Sequence, residues 1–176
     1  MSAPAAEPVA WPADDERPQR AMAWEPERCL IGAALHLDVS QLRPLLDLVH
    51  DDDLSDPLAR IAWSLARALA EAGHRADPAT VTAHAQRTGV HGTAHNLDRF
   101  GYYLSTAFTT VPVPGNAIGY ARAVLDDAYR RRWRAFGERL CQHADTAARD
   151  DLEALAAEER AALLDLRGRL ARLEGM

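Results

Sequence analysis

The chain contains no lysine; all 20 of its basic residues are arginine. That excludes the phosphate-gripping lysine of a P-loop nucleotidase and any covalent chemistry on a lysine amine. Cysteine is nearly absent as well. Cys29 and Cys141 match no metal-binding or redox spacing, and two reduced thiols are expected. Aromatic residues make up only 6% of the chain, while alanine and leucine dominate, a balance that favours helices over strands. No apolar run reaches the length a membrane-spanning helix needs. The N-terminus lacks the basic-then-apolar pattern of a secretion signal, so a cytoplasmic location is expected. The net charge of -6 argues against DNA binding over the whole surface, since phosphate neutralisation needs a cationic face, but it leaves room for a local basic patch.

What the 176 residues do contain is a succession of helix signals. Residues 1–23 hold four of the ten prolines and an acidic excess, predicting a disordered tail with Trp11 as its one large apolar residue. Pro26 opens a first helix with Leu30, Ala33, Ala34 and Leu37 on one face. Ser40 is expected to cap a second, with Pro44 in an early turn and Leu42, Leu45, Leu46 and Val49 inward. Asp56, Pro57 and Gly73 delimit a third helix with a stripe of Leu58, Ile61, Ala62, Leu65, Ala68 and Leu69. Asp77, Pro78 and Gly89 delimit a fourth. A shorter helix over 97–108 precedes an extended segment carrying Pro112 and Pro114. Two long helices follow, from about Asn116 to Ala144 and from about Asp150 to Leu173, joined by the short linker "DTAAR". So short a connection predicts an antiparallel pair. Leu163, Leu166, Leu170 and Leu173 recur at coiled-coil-like spacing. The expected fold is all-α: a helical globule over 24–115 and a long helical hairpin over 116–173.

The stretch "YARAVLDDAYRRRWRAF" (120–136) raises the functional question. Tyr120, Val124, Ala128, Ala135 and Phe136 share a broad apolar arc, and by helical phase Arg131 and Arg132 fall inside it. An arginine in a buried arc needs a carboxylate or carbonyl partner, sought on Glu153, Glu158 or Glu159, or on a second subunit. With Leu163, Leu166 and Leu170, these residues are the expected self-association interface. Arg130 and Arg134 lie outside the arc and, with Trp133 and Arg139, are the candidate nucleic-acid contacts; the acidic chain makes this the weaker reading.

Catalytic and metal chemistry find no support. His84, His91 and His95 include an H-x-x-x-H, but Gly92 interrupts the helix that would put both rings on one side. Asp51–Asp53 lacks the glycine and distal glutamate of a calcium loop, and a solvated turn is expected there. No nucleophile-elbow signature is present. Neither a cofactor nor a metal is expected.

Five stretches resemble one family. "ERCLIGAAL" (27–35) is similar to the E-x-x-[VL]-[IL]-G-x-[LM]-L opening of the N-terminal domain of DnaB-type replicative helicases. "LSDPLARIAWSLARALAEAG" (54–73) resembles its F-x-D-P-x-H-x-x-I helix, and "ADPATV" (76–81) the start of its next helix. "FGYYLSTAFTTVPVPGN" and "AIGYARAVLDDAYRRR" (100–132) continue the match with Asn116, Tyr120, Val124 and Arg131 in register. Leu54, Ala59 and Phe100 depart from the family pattern at positions where partner contacts could depend on the side chain. The resemblance spans about 25–146 and implies the non-motor half of a replicative helicase. No G-x-x-x-x-G-K-[ST] occurs, so no ATPase activity is expected of the chain itself. It implies a replisome- or nucleoid-associated scaffold that forms dimers or a hexameric ring of dimers and binds a replicative helicase, primase or helicase loader. A DNA-binding accessory protein, or a fragment cut from a full helicase, are the alternatives.

Overall fold

The structure, a computed structural model, describes residues 25–176; the expected tail and Trp11 lie outside them. Seven α-helices follow in order: α1 Pro26–Ala34, α2 Val39–Leu48, α3 Pro57–Glu71, α4 Pro78–Thr88, α5 Ala94–Thr110, α6 Ala117–His143 and α7 Arg149–Glu174. Short 3-10 turns, Asp51–Asp53 and Pro114–Asn116, interrupt them, and no strand occurs among the described residues.

Local chemistry sets most of these boundaries. Pro26, Pro57 and Pro78 each occupy a first helical position, where the missing N–H is no loss. The Asp56 carboxylate accepts from Leu58 N–H, and Asp77 accepts from Ala79 and Thr80 N–H. Gly89 ends α4 with φ +68° and Gly73 follows α3 with φ +77°, the left-handed conformation that a Cβ disfavours.

Three boundaries differ from expectation. α2 is capped by Asp38, not Ser40. The Asp38 carboxylate takes the Gln41 N–H at 2.9 Å, the Gln41 side chain answers the Asp38 N–H at 3.1 Å, and Ser40 Oγ donates to the same carboxylate at 2.7 Å. A carboxylate with a reciprocating glutamine outcompetes a lone hydroxyl, and Pro44 consequently lies inside the helix. α5 starts at Ala94 because Thr93 caps it through Asn96 N–H. The segment with Pro112 and Pro114 is extended at Val111 and Val113, but Pro114–Asn116 then coils into a 3-10 turn.

α1 is the central post. Leu30 to Leu35 are all buried, with α5, α6 and α3 packed around them. Gly32 permits this: a Cβ there would stand 2.2 Å from the Ala107 carbonyl oxygen of α5. The first three turns of α6 (Ala117, Tyr120, Ala121, Val124, Leu125, Ala128) belong to the same core, as do Leu166 and Leu173 of α7. The hairpin therefore grows out of the globule's core, and only its far half stands clear. Leu54, Ala59 and Phe100, the departures from the family pattern, are fully buried, so they are packing substitutions rather than changes to the surface.

Candidate interaction surface on the helical hairpin

The acidic turn is solvated only in part: Asp52 is exposed and Asp51 half-buried. Asp53 is buried, and three arginines from three helices converge on this turn. Arg67 of α3 reaches Asp51 at 3.3 Å and also donates to the Leu46 and Val49 carbonyls that end α2. Arg131 of α6 donates to the Asp53 carbonyl oxygen. Arg169 of α7 donates to both Asp53 carboxylate oxygens and, at 2.8 Å, to the Leu48 carbonyl. Burial, the largest influence on Arg169, works against its charge. The hydrogen bonds and charges of Asp53 and then Asp165 outweigh it, so its pKa sits above the ordinary arginine value and the guanidinium keeps its charge.

Arg131 has a second tie, to Glu27 of α1 at 3.5 Å. Glu27 also accepts Ser55 N–H, Ser55 Oγ and Asp56 N–H, fastening α1 to the start of α3. The glutamate that begins "ERCLIGAAL" is thus a cross-brace of the globule.

Further out, Glu159 of α7 is buried between two guanidinium groups of α6, Arg132 at 2.5 Å and Arg139. Of the three glutamates offered by the sequence, this is the one that meets the buried arc. Arg139, expected to face nucleic acid, lies on the inner face. One heptad separates it from Arg132, a spacing that places both on the same side of the helix.

The expected self-association residues divide accordingly. Tyr120, Val124, Ala128, Leu163 and Leu166 are buried within the chain, and Leu170 is half-buried. The Tyr120 hydroxyl accepts Val113 N–H at 3.1 Å. Ala135 is exposed because it faces a cleft of about 380 Å³ between the acidic turn, α6 and α7. Phe136 is half-buried, away from that cleft.

Phe136 belongs instead to a ridge that the sequence reading did not single out. Tyr129 and Trp133 meet edge-on with ring centroids 6.2 Å apart, and Trp133 and Phe136 follow at 6.2 Å. Leu140 continues the line at helical spacing. Trp133 is 48% exposed and Leu140 37%. Arg134 is exposed, while Arg130 pairs with Asp126 at 3.1 Å.

Among the described residues, no group of three or more His, Cys, Asp and Glu side chains gathers that could hold a metal ion. His91 bonds to the Ala85 carbonyl, while His95 lies inside α5 beyond Gly92, whose φ is +68°. Cys29 is half-buried and Cys141 exposed, both free; burial pushes the Cys29 thiol up. No described helix is long and apolar enough to cross a membrane.

Comparison with known proteins adds three findings. The family model for the DnaB-like helicase N terminal domain matches residues 19–126, ending just before the arginine cluster. The crystal structure of the N-terminal domain of DnaB helicase from Mycobacterium tuberculosis is similar to this chain. It has a TM-score of 0.67 and 26% identity, with 78% of this chain and 94% of that one covered. No curated protein matches.

Proposed function

Because the chain belongs to the DnaB-like helicase N-terminal domain family, whose domains are helicase-associated and act in DNA replication, we propose that it is a non-catalytic scaffold. It self-associates through its hairpin, as a dimer or a ring of dimers, and presents its globule to a replication partner: a replicative helicase, a primase or a helicase loader. It works in the cytoplasm beside the nucleoid.

The observation that carries this reading is the Tyr129–Trp133–Phe136–Leu140 ridge. The inner face of the hairpin satisfies its own charges through Glu159 and Asp53, and the outward apolar line is open to a second copy. From Tyr129 to Leu140 it runs roughly 16 Å, and tryptophan and tyrosine are the side chains that most often carry binding energy at interfaces. Self-association is thus assigned to this ridge, with Arg131 and Arg132 shaping the hairpin from within.

Sedimentation equilibrium at tens of micromolar is the test. The wild-type chain is expected to be at least dimeric, and Trp133→Ser to shift it toward monomer. A wild-type chain that stays monomeric throughout would sink the proposal. Pull-down of the helicase, primase or loader with tagged protein tests the partner.

Arg134, with Arg130, supports a second reading, DNA binding. It predicts affinity that falls steeply with salt and weakens in Arg130→Ala/Arg134→Ala. No change in polarisation of labelled single- or double-stranded DNA at low salt would remove it.

A further inference from the structure

The apolar seam of the hairpin is chemically repetitive. α6 offers it Val124, Leu125, Ala128 and Ala135, and α7 offers Leu163, Leu166, Leu170 and Leu173. If α7 slid by one helical turn, about 5.4 Å, Leu166, Leu170 and Leu173 would take the places of Leu163, Leu166 and Leu170. Leucine would still meet alanine, so the seam alone discriminates poorly between the two registers.

The charged groups do discriminate. In the slid register Leu163 arrives between Arg132 and Arg139 in place of Glu159. Arg172, the neighbour of Leu173, arrives at the place of Arg169 and still offers Asp53 a cation, so this slide is opposed at the outer point, by the loss of Glu159. A slide the other way carries Asp165 toward Asp53, carboxylate against carboxylate, and brings Glu159 into the leucine layer. A buried ionic group tolerates only the alignment that supplies its partner, whereas leucine tolerates several.

We propose that Glu159 and Arg169 form a two-point register lock that holds α7 in one alignment against α6 and the globule. Glu159 is gripped by Arg132 and Arg139 at the outer end, and Arg169 by Asp53 and the Leu48 carbonyl at the inner end. The two points are roughly 15 Å apart along α7, so together they oppose rotation as well as sliding. The lock rests on contacts within one chain, so it stands or falls separately from self-association.

The test uses the exposed native Cys141 as one spin-label site, with Cys29→Ser and Gly168→Cys. Gly168 is exposed, with open space where the Cβ would sit. Labelled chain is diluted with unlabelled chain so that only distances within one chain are read by pulsed double resonance. The locked protein is expected to give one narrow distance. Asp53→Leu/Glu159→Leu/Arg169→Leu removes every charge that would otherwise be stranded at Asp53 and is expected to keep its helicity. Its distance distribution should split or broaden, with a component displaced by about 5 Å. One narrow, undisplaced peak in the triple variant overturns the proposal. If that variant loses helicity, Glu159→Leu alone decides by the same readout, because Arg132 and Arg139 are partly exposed (41% and 44%) and stay hydrated. It should show a displaced shoulder, and its absence overturns the proposal equally.

Discussion

Arg169 and Asp53 stand 116 positions apart in the chain and meet in the interior, each only 5% exposed. Through this pair the last helix is tied to a turn between the second and third. Removing one partner strands the other charge in a region water does not reach, whereas removing both leaves an apolar contact. Arg169→Ala should therefore lower unfolding stability by about 3–5 kcal/mol, read from urea midpoints. Asp53→Leu/Arg169→Leu should recover most of that loss. A double variant as unstable as the single one would refute this account.

The Gly32 contact makes a sharper prediction. A methyl group there points at the backbone oxygen of Ala107 at 2.2 Å, and backbone cannot rotate away as a side chain can. Gly32→Ala should destabilise by at least about 1–3 kcal/mol through overpacking, despite alanine's better helix propensity. A thermal midpoint at or above that of the wild type would show that α1 and α5 are not so close.

Stability and self-association should separate on α6. Trp133→Ser removes an exposed side chain and should weaken self-association while leaving the thermal midpoint within a degree or two. Arg131→Ala breaks the ties to Glu27 and to the Asp53 carbonyl and should lower the midpoint. Arg134→Ala, at an exposed position, should not. Equal midpoints for Arg131→Ala and Arg134→Ala would contradict the bracing role given to Arg131.

Acid should loosen α4. The Thr80 hydroxyl, then the Thr80 N–H, hold the Asp77 carboxyl below its ordinary value of 3.8. A carboxyl whose folded pKa is depressed contributes stability above its unfolded pKa, and that contribution is lost as pH falls through the folded value. Stability should thus decline between about pH 5 and pH 2. Asp77→Asn, which still caps, should flatten part of that decline while changing little at neutral pH. Urea midpoints across the acid range check both statements, and an unchanged acid limb in Asp77→Asn would remove Asp77 from the account.

Much of the fold could be read before any coordinates. The Asp-Pro starts at 56–57 and 77–78 and the glycine stops at 73 and 89 act within a few residues, so they are visible in a short window of sequence. The error at α2 came from that same closeness: Asp38 and Ser40 are both good caps two residues apart, and only the reciprocal Gln41 contact decides between them. Helical phase put Arg131 and Arg132 on the inner face, where the structure finds them bonded within the chain. The same phase applied one heptad further would have placed Arg139 inward too. The Trp133 ridge was harder to see. Its residues alternate with arginines, and whether an aromatic on a long helix is covered depends on where the neighbouring helix lies.

The sequence by itself determined an all-helical chain, most of its helix ends, the hairpin's antiparallel course and the resemblance to its family. These follow from local backbone chemistry and periodicity. Only the tertiary structure decided which carboxylate each arginine meets. It made Asp53, the last of the aspartate run, a buried anchor, and it closed the inner face of the hairpin on itself while leaving an aromatic edge outside. Charge pairing and burial depend on distances between residues far apart in the chain, and no local pattern encodes those distances.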